Sequence, residues 1–355
     1  MFEQYLFNKL DIVKRVAVVI LNWNGKKFLE QFLQNVVDNS CHVADVIVAD
    51  NNSNDGSVDF VTNNFQQVKV IRLDDNYGFA GGYNRALQQI DYEYFILLNS
   101  DIEVSSRWIE PVVDFMDNNA EYAICQPKLL SYFEKEKFEY AGAAGGYIDH
   151  LGYPFCRGRV FQELEVDNGQ YDNFTEVFWA TGACMFVKSS VFKEIGGLDE
   201  DFFAHMEEID FCWRAKNRGY KVGYCPNSIV YHIGGGTLPK QSSFKTYLNM
   251  RNNITMLYKN LPKNRVFPVL FARIFLDFIA AFKFFIDGGI KDFWAVMRAH
   301  FYFYSNLKSI KRKRKSLPHN KVSCMYLKSI VFGHFFHNIT KFSQLDENNF
   351  SKTEH

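Results

Sequence analysis

The sequence YFILLNSDIEV, residues 94–104, decides the fold of the N-terminal half, because a buried strand ends there on polar groups. The apolar run 94–98 is typical of a strand that is covered on both faces. It stops at Asn99 and Asp101, whose side chains would point the same way if the chain stays extended. Two neighbouring oxygen-bearing side chains at such a position can hold a hard cation, or they can cap a helix that follows. Both interpretations stay open on these residues alone.

Three similar apolar strands precede this one, and segments with helical spacing separate them. The strands are VAVVILNWNG (16–25), VIVAD (46–50) and VKVIRL (68–73), and a helical pattern follows the first at 26–39. This alternation predicts βαβ units and a doubly wound, mostly parallel α/β sheet. Ligands of such sheets bind at the carboxyl ends of the strands, where this chain places the polar clusters 22–24, 50–52 and 99–101.

A glycine-rich segment, NYGFAGGYNRAL (76–87), follows the third strand. Its glycines and a helix start near Asn84 would let backbone N–H groups approach phosphate oxygens, although an ordinary glycine-rich turn explains the pattern equally well. The segment matches neither GxGxxG nor GxxxxGK[ST], which argues against a nicotinamide dinucleotide fold and against a P-loop NTPase.

Residues 120–235 show short strands in a mixed pattern, followed by a predicted helix that begins near Glu207. Helical spacing places Glu207, Asp210 and Arg214 along one side, and Glu208 points about 100° away. Acids in a first helical turn are favoured by the helix dipole, or they can present a general base at the top of the sheet.

One histidine at a predicted strand end also bears on the chemistry. His232 lies in YHIGGGT (231–237), where it is either structural or a neutral metal ligand that would complement the single carboxylate of Asp101.

The C-terminal segment from residue 236 is more aromatic and basic. Residues 265–287 form its most apolar run, yet Arg273 and Asp277 near the centre would each cost roughly 2.5–3.5 kcal/mol in a bilayer. On a helix the charged residues fall within an arc of about 120°. This predicts an amphipathic helix that packs on the catalytic domain or lies in a membrane interface. The basic run 308–321 predicts either a solvated loop or a patch for anionic lipid or another polyanion.

Composition restricts the classes of partner and compartment. The 355 residues carry 40 Lys and Arg against 40 Asp and Glu, which argues against nucleic acid as the main partner. The seven cysteines show no CxxC spacing and predict reduced core residues of a cytoplasmic protein. Residues 1–15 contain no uninterrupted apolar stretch, so we expect no signal peptide there.

Taken together, seven segments resemble the family 2 glycosyltransferases of GT-A fold, in particular their rhamnosyltransferase-like and galactofuranosyltransferase-like branch. The segments, in family order, are VVILNWNG (18–25), VADNNSNDGS (48–57), NYGFAGGYN (76–84), LLNSD (97–101), FWATGACM (178–185), GGLDEDFFAHMEEIDFCWR (196–214) and YHIGGGT (231–237). The resemblance implies a GT-A catalytic domain at 12–240, with a Rossmann-like nucleotide-binding half and a mixed acceptor half. A helical, amphipathic extension at 241–355 resembles only the variable tails of such enzymes.

The resemblance also implies roles for individual residues. Asp101 matches the last acid of the family's DxD motif, which holds Mn²⁺ or Mg²⁺ on the donor diphosphate, and His232 can complete that shell. Glu208 stands at the position of the catalytic base, where the family more often has Asp. Trp179 and Glu207 would contact the acceptor. The implied donor-binding residues are Asn22, Asn24, Asp50, Asn52, Gly82, Asn84 and Asn99, the last in place of the first DxD acid.

The implied activity is inverting, metal-dependent transfer of one sugar, rhamnose or another hexose, from a UDP- or dTDP-sugar. The acceptor would be a growing surface polysaccharide or a lipid-linked glycan, and the enzyme would lie at the inner face of the cell membrane. Two alternatives share the same sheet: a sugar-nucleotide nucleotidyltransferase, and a nucleotide-sugar-binding module without turnover.

Overall fold

A computed structural model of the chain describes residues 14–234, 242–287 and 289–352. The expected domain limits at 12 and at 240 and 241 lie outside these ranges. The same holds for residues 235–237 of the YHIGGGT segment and for residues 1–13 of the N-terminal segment.

The predicted parallel unit forms the first half of the fold. Its strands pair in parallel in the order β4-β1-β2-β3, and the intervening helices cover both faces of the sheet. Burial on both faces explains why these strands read as continuous apolar runs. The bounds are β1 (Val16–Asn22), α1 (Lys26–Ser40), β2 (Ala44–Asp50), α2 (Ser57–Asn64), β3 (Lys69–Arg72), α3 (Gly78–Leu87) and β4 (Tyr94–Asn99).

The second half adds antiparallel strands, as the mixed pattern predicted. Its elements are β5 (Ile102–Val104), α4 (Glu110–Asn118), β6 (Tyr122–Ser131), β7 (Gly146–Asp149), β8 (Pro154–Cys156), β9 (Arg159–Val160), β10 (Glu163–Leu164), β11 (Thr175–Val177), β12 (Cys184–Lys188), α5 (Ser189–Ile195), α6 (Glu207–Lys216) and β13 (Lys221–His232). Strand β12 runs antiparallel between β4 and β6, so the sheet changes direction beside β4. Within the described ranges the main sheet has nine strands, in the order β11-β13-β6-β12-β4-β1-β2-β3, with β5 paired to β13.

The C-terminal part is helical, as expected, and it is joined to the second half. It comprises α7 (Ser243–Asn260), α8 (Lys263–Ile286), α9 (Ile290–Ser305), α10 (Leu307–Lys315), β14 (Met325–Tyr326) and α11 (Ile330–His337). Strand β14 pairs with β7 and completes a second, smaller sheet, β10-β9-β8-β7-β14. The basic run lies largely on α10, so the prediction of a loop there was wrong. All seven cysteines are free thiols, which confirms the absence of disulfides.

Helix α8 packs with its polar side inward. Arg273 and Asp277 are almost completely buried and form an ion pair of 3.0 Å, and His300 of α9 lies 3.2 Å from Asp277. The guanidinium of Arg273 also donates to the carbonyl of Leu151, at 3.0 Å. The centre of the predicted polar stripe, Arg273 and Asp277, therefore lies on the packing face, whereas Lys283 and Asp287 at its end are exposed and most of the large aromatic residues of α8 face outward. No helix in the described ranges is both long enough and apolar enough to cross a bilayer.

Candidate active site

Asn99, Asp101 and His232 meet at the carboxyl end of β4. The strand ends at Asn99, the chain turns, and β5 then pairs with the end of β13, which places His232 opposite Ile102. The His232 Nε2 atom lies 3.1 Å from Asp101 Oδ1 and 3.4 Å from Asn99 Nδ2. Because a strand rather than a helix follows Asp101, the helix-capping interpretation of this pair was wrong.

A second carboxylate, that of Glu139, completes this cluster and has no signature in the sequence. Its Oε1 atom lies 3.3 Å from His232 Nδ1, and all three side chains are buried. Burial alone would lower the pKa of His232, but the charges of Glu139 and Asp101 outweigh it and raise that pKa to about 10. Burial would likewise raise the pKa of Asp101, yet the nearby His232 cation lowers it.

This donor set fits a hard divalent cation that shares its ligands with a substrate. Asp101 offers carboxylate oxygen and His232 offers Nε2 at the same point, once a metal replaces the Nε2 proton. Glu139 on the other ring nitrogen fixes the ring and raises its basicity, as carboxylates commonly do for metal-bound histidine. The described ranges hold no group of three or more His, Cys, Asp or Glu side chains arranged to bind a metal alone. A cation here would take its remaining ligands from a diphosphate and water.

The end of β2 borders a polar cleft of about 430 Å³. Asp50 and Asn52 line it together with Arg72 and Leu73 at the end of β3. Asn22 lies behind them, almost completely buried, and its amide donates to Asp50 Oδ1 at 3.0 Å. The cleft therefore presents Asp50, whereas Asn22 orients that carboxylate from inside the sheet.

Asn24 and Asn51 shape the two sides of this region. Asn24 adopts a left-handed conformation, φ 49°, which asparagine tolerates, and its side chain accepts from the N–H of Asn54 at 2.8 Å. The side chain of Asn51 donates to the carbonyl of Gly78 at 3.0 Å and accepts from the N–H of Tyr77 at 3.1 Å. Sequence reasoning missed Asn51, because a run of asparagines does not show which one turns inward.

The glycine-rich segment is a helix rather than a loop. Helix α3 begins at Gly78, six residues before the predicted start at Asn84. The N–H groups of Phe79 and Ala80 donate to the carbonyl of Phe203, at 2.7 and 3.3 Å. These helix N-terminal donors therefore bind a loop of the second half and are not free to cradle a phosphate.

Two predicted donor residues have packing roles instead, which corrects the expectation that they lie along the nucleotide. A Cβ at Gly82 would approach Leu21 of β1 to 2.8 Å, so glycine permits the close contact of α3 with the sheet. The amide of Asn84 donates to the carbonyl of Leu198 and accepts from its N–H, both at 2.9 Å. Both residues fix the position of α3 and do not face a donor groove.

Helix α6 begins at Glu207, as predicted, after a turn that the C-terminal helices hold in place. Arg251 of α7 donates to the carbonyl of Phe202 at 2.8 Å, and Asn252 donates to that of His205 at 2.7 Å. Non-glycine residues with positive φ indicate that this turn is strained and needs such support. They are Phe203 (63°), His205 (69°) and Met206 (71°).

The predicted pair of Asp210 and Arg214 forms a buried ion pair of 2.7 Å within α6. Lys259 of α7 joins it, 2.9 Å from Asp210. These contacts attach α6 to α7 and explain both charged residues structurally.

Glu208 packs against residue 182, next to the residue that contacts Asn99 of the metal-site cluster. A Cβ at Gly182 would lie 3.8 Å from Glu208 Cβ, and the next carbonyl, that of Ala183, accepts from the N–H of Asn99 at 2.9 Å. Glu208 is partly buried, and its Oε2 has no hydrogen-bond partner in the described ranges. Burial raises its pKa to about 7, although backbone N–H groups at the start of α6 oppose the shift.

Glu207 lies deeper than Glu208, and its Oε2 also lacks a partner within the described ranges. Burial and, after it, the charge of Glu208 raise the pKa of Glu207 well above its ordinary value. Both carboxyls therefore keep their protons to a higher pH than exposed glutamates do, and the pKa of Glu208, about 7, lies near neutral pH.

Trp179 does not offer the expected sugar platform. Its indole is buried, and Nε1 donates to the carbonyl of Tyr147 at 2.8 Å. The ring covers Gly146 so closely that an added Cβ there would lie 2.1 Å away. Trp179 joins the two sheets and is not available to an acceptor.

Curated relatives cover most of this chain. The low-salt glycan biosynthesis hexosyltransferase Agl10 of Haloferax volcanii is 26% identical over 73% of this chain and 78% of its own length. The dTDP-rhamnosyl transferase RfbF of Shigella flexneri is 25% identical over 69% and 80%. The N-acetylglucosaminyl-diphospho-decaprenol L-rhamnosyltransferase of Mycobacterium tuberculosis is 23% identical over 61% and 75%.

Solved structures share the fold at low identity. A crystal structure of residues 1–349 of TarS from S. aureus with UDP-GlcNAc superposes with a TM-score of 0.55 at 14% identity, over 84% of this chain and 89% of that one. GalNAc-T7, crystallised with UDP, GalNAc and Mn²⁺, gives 0.55 at 16% identity over 70% of this chain. The match spans 48% of the GalNAc-T7 chain, about half its length.

A family model decides the membership. The model described as Glycosyl transferase family 2 matches residues 17–196, which is half of the chain and includes β1 to β4 and the Asn99–Asp101 turn. The chain belongs to glycosyl transferase family 2 and is a glycosyltransferase.

Proposed function

We propose that this enzyme transfers a single sugar, rhamnose or another hexose, from a UDP- or dTDP-sugar to a hydroxyl of a growing surface polysaccharide or lipid-linked glycan. The transfer would invert the configuration at the anomeric carbon. The observation that carries this proposal is the position of Glu208, a carboxylate with a pKa of about 7, beside the cluster of Asn99, Asp101 and His232. The printed activities of the relatives, a hexosyltransferase and two rhamnosyltransferases, support the substrate class.

The donor would bind across the carboxyl ends of the strands. Its base and ribose fit the cleft at Asp50 and Asn52, whose carboxylate and amide suit the N–H and hydroxyl groups of a pyrimidine nucleoside. Asp101 and His232 would hold Mn²⁺ or Mg²⁺, which supplies positive charge against the departing diphosphate. Asn99 would contact the diphosphate or orient the site, since its amide adds no charge.

Glu208 would act on the acceptor. Its carboxylate accepts the proton of the attacking hydroxyl while the new C–O bond forms on the face opposite the leaving diphosphate. One displacement suffices, and no covalent enzyme intermediate is required. Glu207, protonated at neutral pH, would donate a hydrogen bond to the acceptor through the oxygen that lacks a partner.

We also propose the domain limits of the enzyme and its location in the cell. Residues 12–240 would form the catalytic domain and 241–355 an extension that supports it. The enzyme would work on the cytoplasmic face of the membrane and contact it peripherally, because a lipid-linked acceptor lies there.

The deciding experiment has two parts. A panel of UDP- and dTDP-sugars is first tested for protection against thermal unfolding, with and without Mn²⁺. The protecting donor is then incubated with a polyprenyl-diphosphate-linked sugar, and the released product is identified. We expect a nucleoside diphosphate, whereas release of pyrophosphate in a parallel incubation with a nucleoside triphosphate and a sugar 1-phosphate would indicate a nucleotidyltransferase and overturn the proposal.

A matched pair of variants separates binding from turnover. Glu208→Gln should retain donor protection and lose turnover, while Glu30→Gln, on the exposed side of α1, should behave as the wild type. Wild-type turnover in Glu208→Gln would exclude this base, and donor protection without any turnover in the wild type would indicate a binding module.

A further inference from the structure

Helices α8 and α9 present a continuous apolar surface to the outside of the molecule. Its six most prominent residues are between 58% and 78% exposed, which is unusual for large aromatic side chains. The helices are joined along their length, since Phe278 lies 6.1 Å from the His300 ring and Phe285 lies 5.9 Å from Phe293. We call this surface the aromatic face and define it by Phe267, Phe271, Phe275, Phe282, Trp294 and Phe301.

Specific polar contacts hold the aromatic face outward. Arg273 lies on the opposite side of α8 and binds Asp277, the carbonyl of Leu151 and the side chain of Asn253. His300 fixes α9 to the same carboxylate of Asp277, at 3.2 Å. Rotating either helix to bury its aromatic residues would break a buried ion pair, so the exposure follows from the packing itself.

A basic helix lies at one end of the aromatic face. Helix α10 follows α9 directly. Its Ile310 forms a small buried cluster with Phe303 of α9, and Leu270 of α8 and Leu307 of α10 pack against that cluster. Four of its cations point to solvent, and residues 307–315 contain no acid. These exposed cations are Lys308, Lys311, Arg312 and Lys315.

Apolar and cationic groups side by side match one occupant, an anionic lipid surface. Phenylalanine and tryptophan side chains enter the acyl boundary, and adjacent Lys and Arg side chains reach the headgroup phosphates. A second copy of this chain fits less well, because a two-fold contact through this face would bring the two α10 helices, with like charges, toward each other.

We propose that the aromatic face docks on an anionic lipid bilayer, with α8 and α9 lying in the interface and α10 on the headgroups. Arg273 of α8 binds residue 151 of the second half, and Arg251 of α7, which packs against α8 and α9, holds the turn before Glu208. Docking would therefore bring the acceptor side of the site to the bilayer. This consequence rests on the proposed function and narrows its acceptor to a lipid-linked glycan in the membrane.

Vesicle flotation of the full chain, without donor or acceptor, tests the docking. We expect the wild type to float with phosphatidylcholine vesicles that contain phosphatidylglycerol and to bind pure phosphatidylcholine vesicles more weakly. The triple variant Phe271→Gln, Phe275→Gln, Phe282→Gln should lose at least about tenfold in binding. Phe133→Gln, which changes an equally exposed aromatic residue beside Tyr132, just after β6, should bind as the wild type.

A second readout keeps the proposal testable if the triple variant fails to fold. The fluorescence of Trp294 should shift to the blue on addition of anionic vesicles, and Trp294→Phe should abolish that shift. Trp23→Phe, which removes the other exposed tryptophan, should retain it.

Absence of wild-type binding, or equal binding by the triple variant, would overturn the proposal. A dimer in sedimentation that the triple variant dissociates, without vesicle binding, would show instead that the face pairs two copies. Either result leaves thermal protection by nucleotide sugars unaffected, so failure here is distinguishable from failure of the proposed function.

Discussion

Replacement of Glu208 by glutamine tests the proposed base through the pH dependence of the reaction. Burial raises the pKa of this carboxyl to about 7, and only its ionised form can accept a proton. Roughly one tenth of the molecules would be ionised at pH 6 and about nine tenths at pH 8. We therefore expect kcat/KM to rise about tenfold between these values and to level off above them.

The neighbours of Glu208 leave this titration distinct. Burial and, after it, the charge of Glu208 raise the pKa of Glu207 well above the ordinary glutamate value. Burial lowers the pKa of His205 to about 4, and it raises that of Cys212 to about 12. The segment 180–183 that packs against Glu208 has the sequence ATGA and carries no ionisable side chain.

The raised pKa also fixes the sign of a stability effect. The folded state binds more protons than the unfolded state between the ordinary glutamate pKa and about 7, so Glu208 makes stability fall as pH rises through that window. Glu208→Gln removes this loss, and its melting temperature at pH 8 should exceed that of the wild type. Loss of turnover with a gain in stability would distinguish a catalytic role from a structural one.

The assay is continuous detection of released nucleoside diphosphate at saturating Mn²⁺, with limiting donor. Glu208→Gln should lower the rate about 10²- to 10⁴-fold. It should also abolish the rise of kcat/KM between pH 6 and pH 8, the rising limb of the pH profile. Glu207→Gln is the matched control and should keep the rising part of the pH profile, because Glu208, to which that part is assigned, is still present. A flat wild-type profile, or the same limb in Glu208→Gln, would refute the assignment of the base.

Three other predictions concern the metal site and the helical extension. Asp101→Ala should abolish turnover while Asn99→Ala only weakens it, measured as nucleoside diphosphate release; equal losses would mean that the motif acts as a two-ligand unit. Glu139→Gln should weaken Mn²⁺ activation about 10- to 100-fold in a metal titration, because it removes the partner of the metal-bound imidazole; an unchanged Mn²⁺ dependence would exclude that role. Arg273→Met should cost about 3–5 kcal/mol in urea unfolding, since it removes the guanidinium partner of the buried Asp277 and leaves it only the imidazole of His300 within the described ranges; a cost below about 1 kcal/mol would show that water reaches the pair.

The positions that local sequence patterns specify were predicted correctly. The ends of β1, β2 and β4 fall at Asn22, Asp50 and Asn99, because an apolar run bounded by polar residues can end a buried strand in few places. Helix α6 begins at Glu207, where glycines and acids mark a first helical turn. The meeting of Asp101 and His232 across more than a hundred residues was expected from the family resemblance and not from any local pattern.

Residues that act through distant partners escaped prediction. Glu139 reaches His232 because of the pairing between β6 and β13, and Arg251 reaches the turn at Phe202 from a helix of the extension. Neither residue stands in a pattern that differs from ordinary surface charge. Trp179 was misassigned for the converse reason, since sequence shows a large aromatic side chain but not the glycine backbone at Gly146 that covers it.

Helix α8 shows why periodicity alone leaves the function of an amphipathic segment undecided. Period 3.6 places Arg273 and Asp277 on one side, and a surface helix usually turns its apolar side inward. Here the inward side is polar, because carbonyl, amide and carboxylate partners on 149–153, α7 and α9 satisfy both charges. Helix α7, which holds the turn before Glu208 through Arg251, packs against α8 and α9, the helices that expose the aromatic face. A substitution that loosens α7 from α8 should therefore weaken catalysis and vesicle binding together, whereas substitutions on the aromatic face should weaken vesicle binding alone.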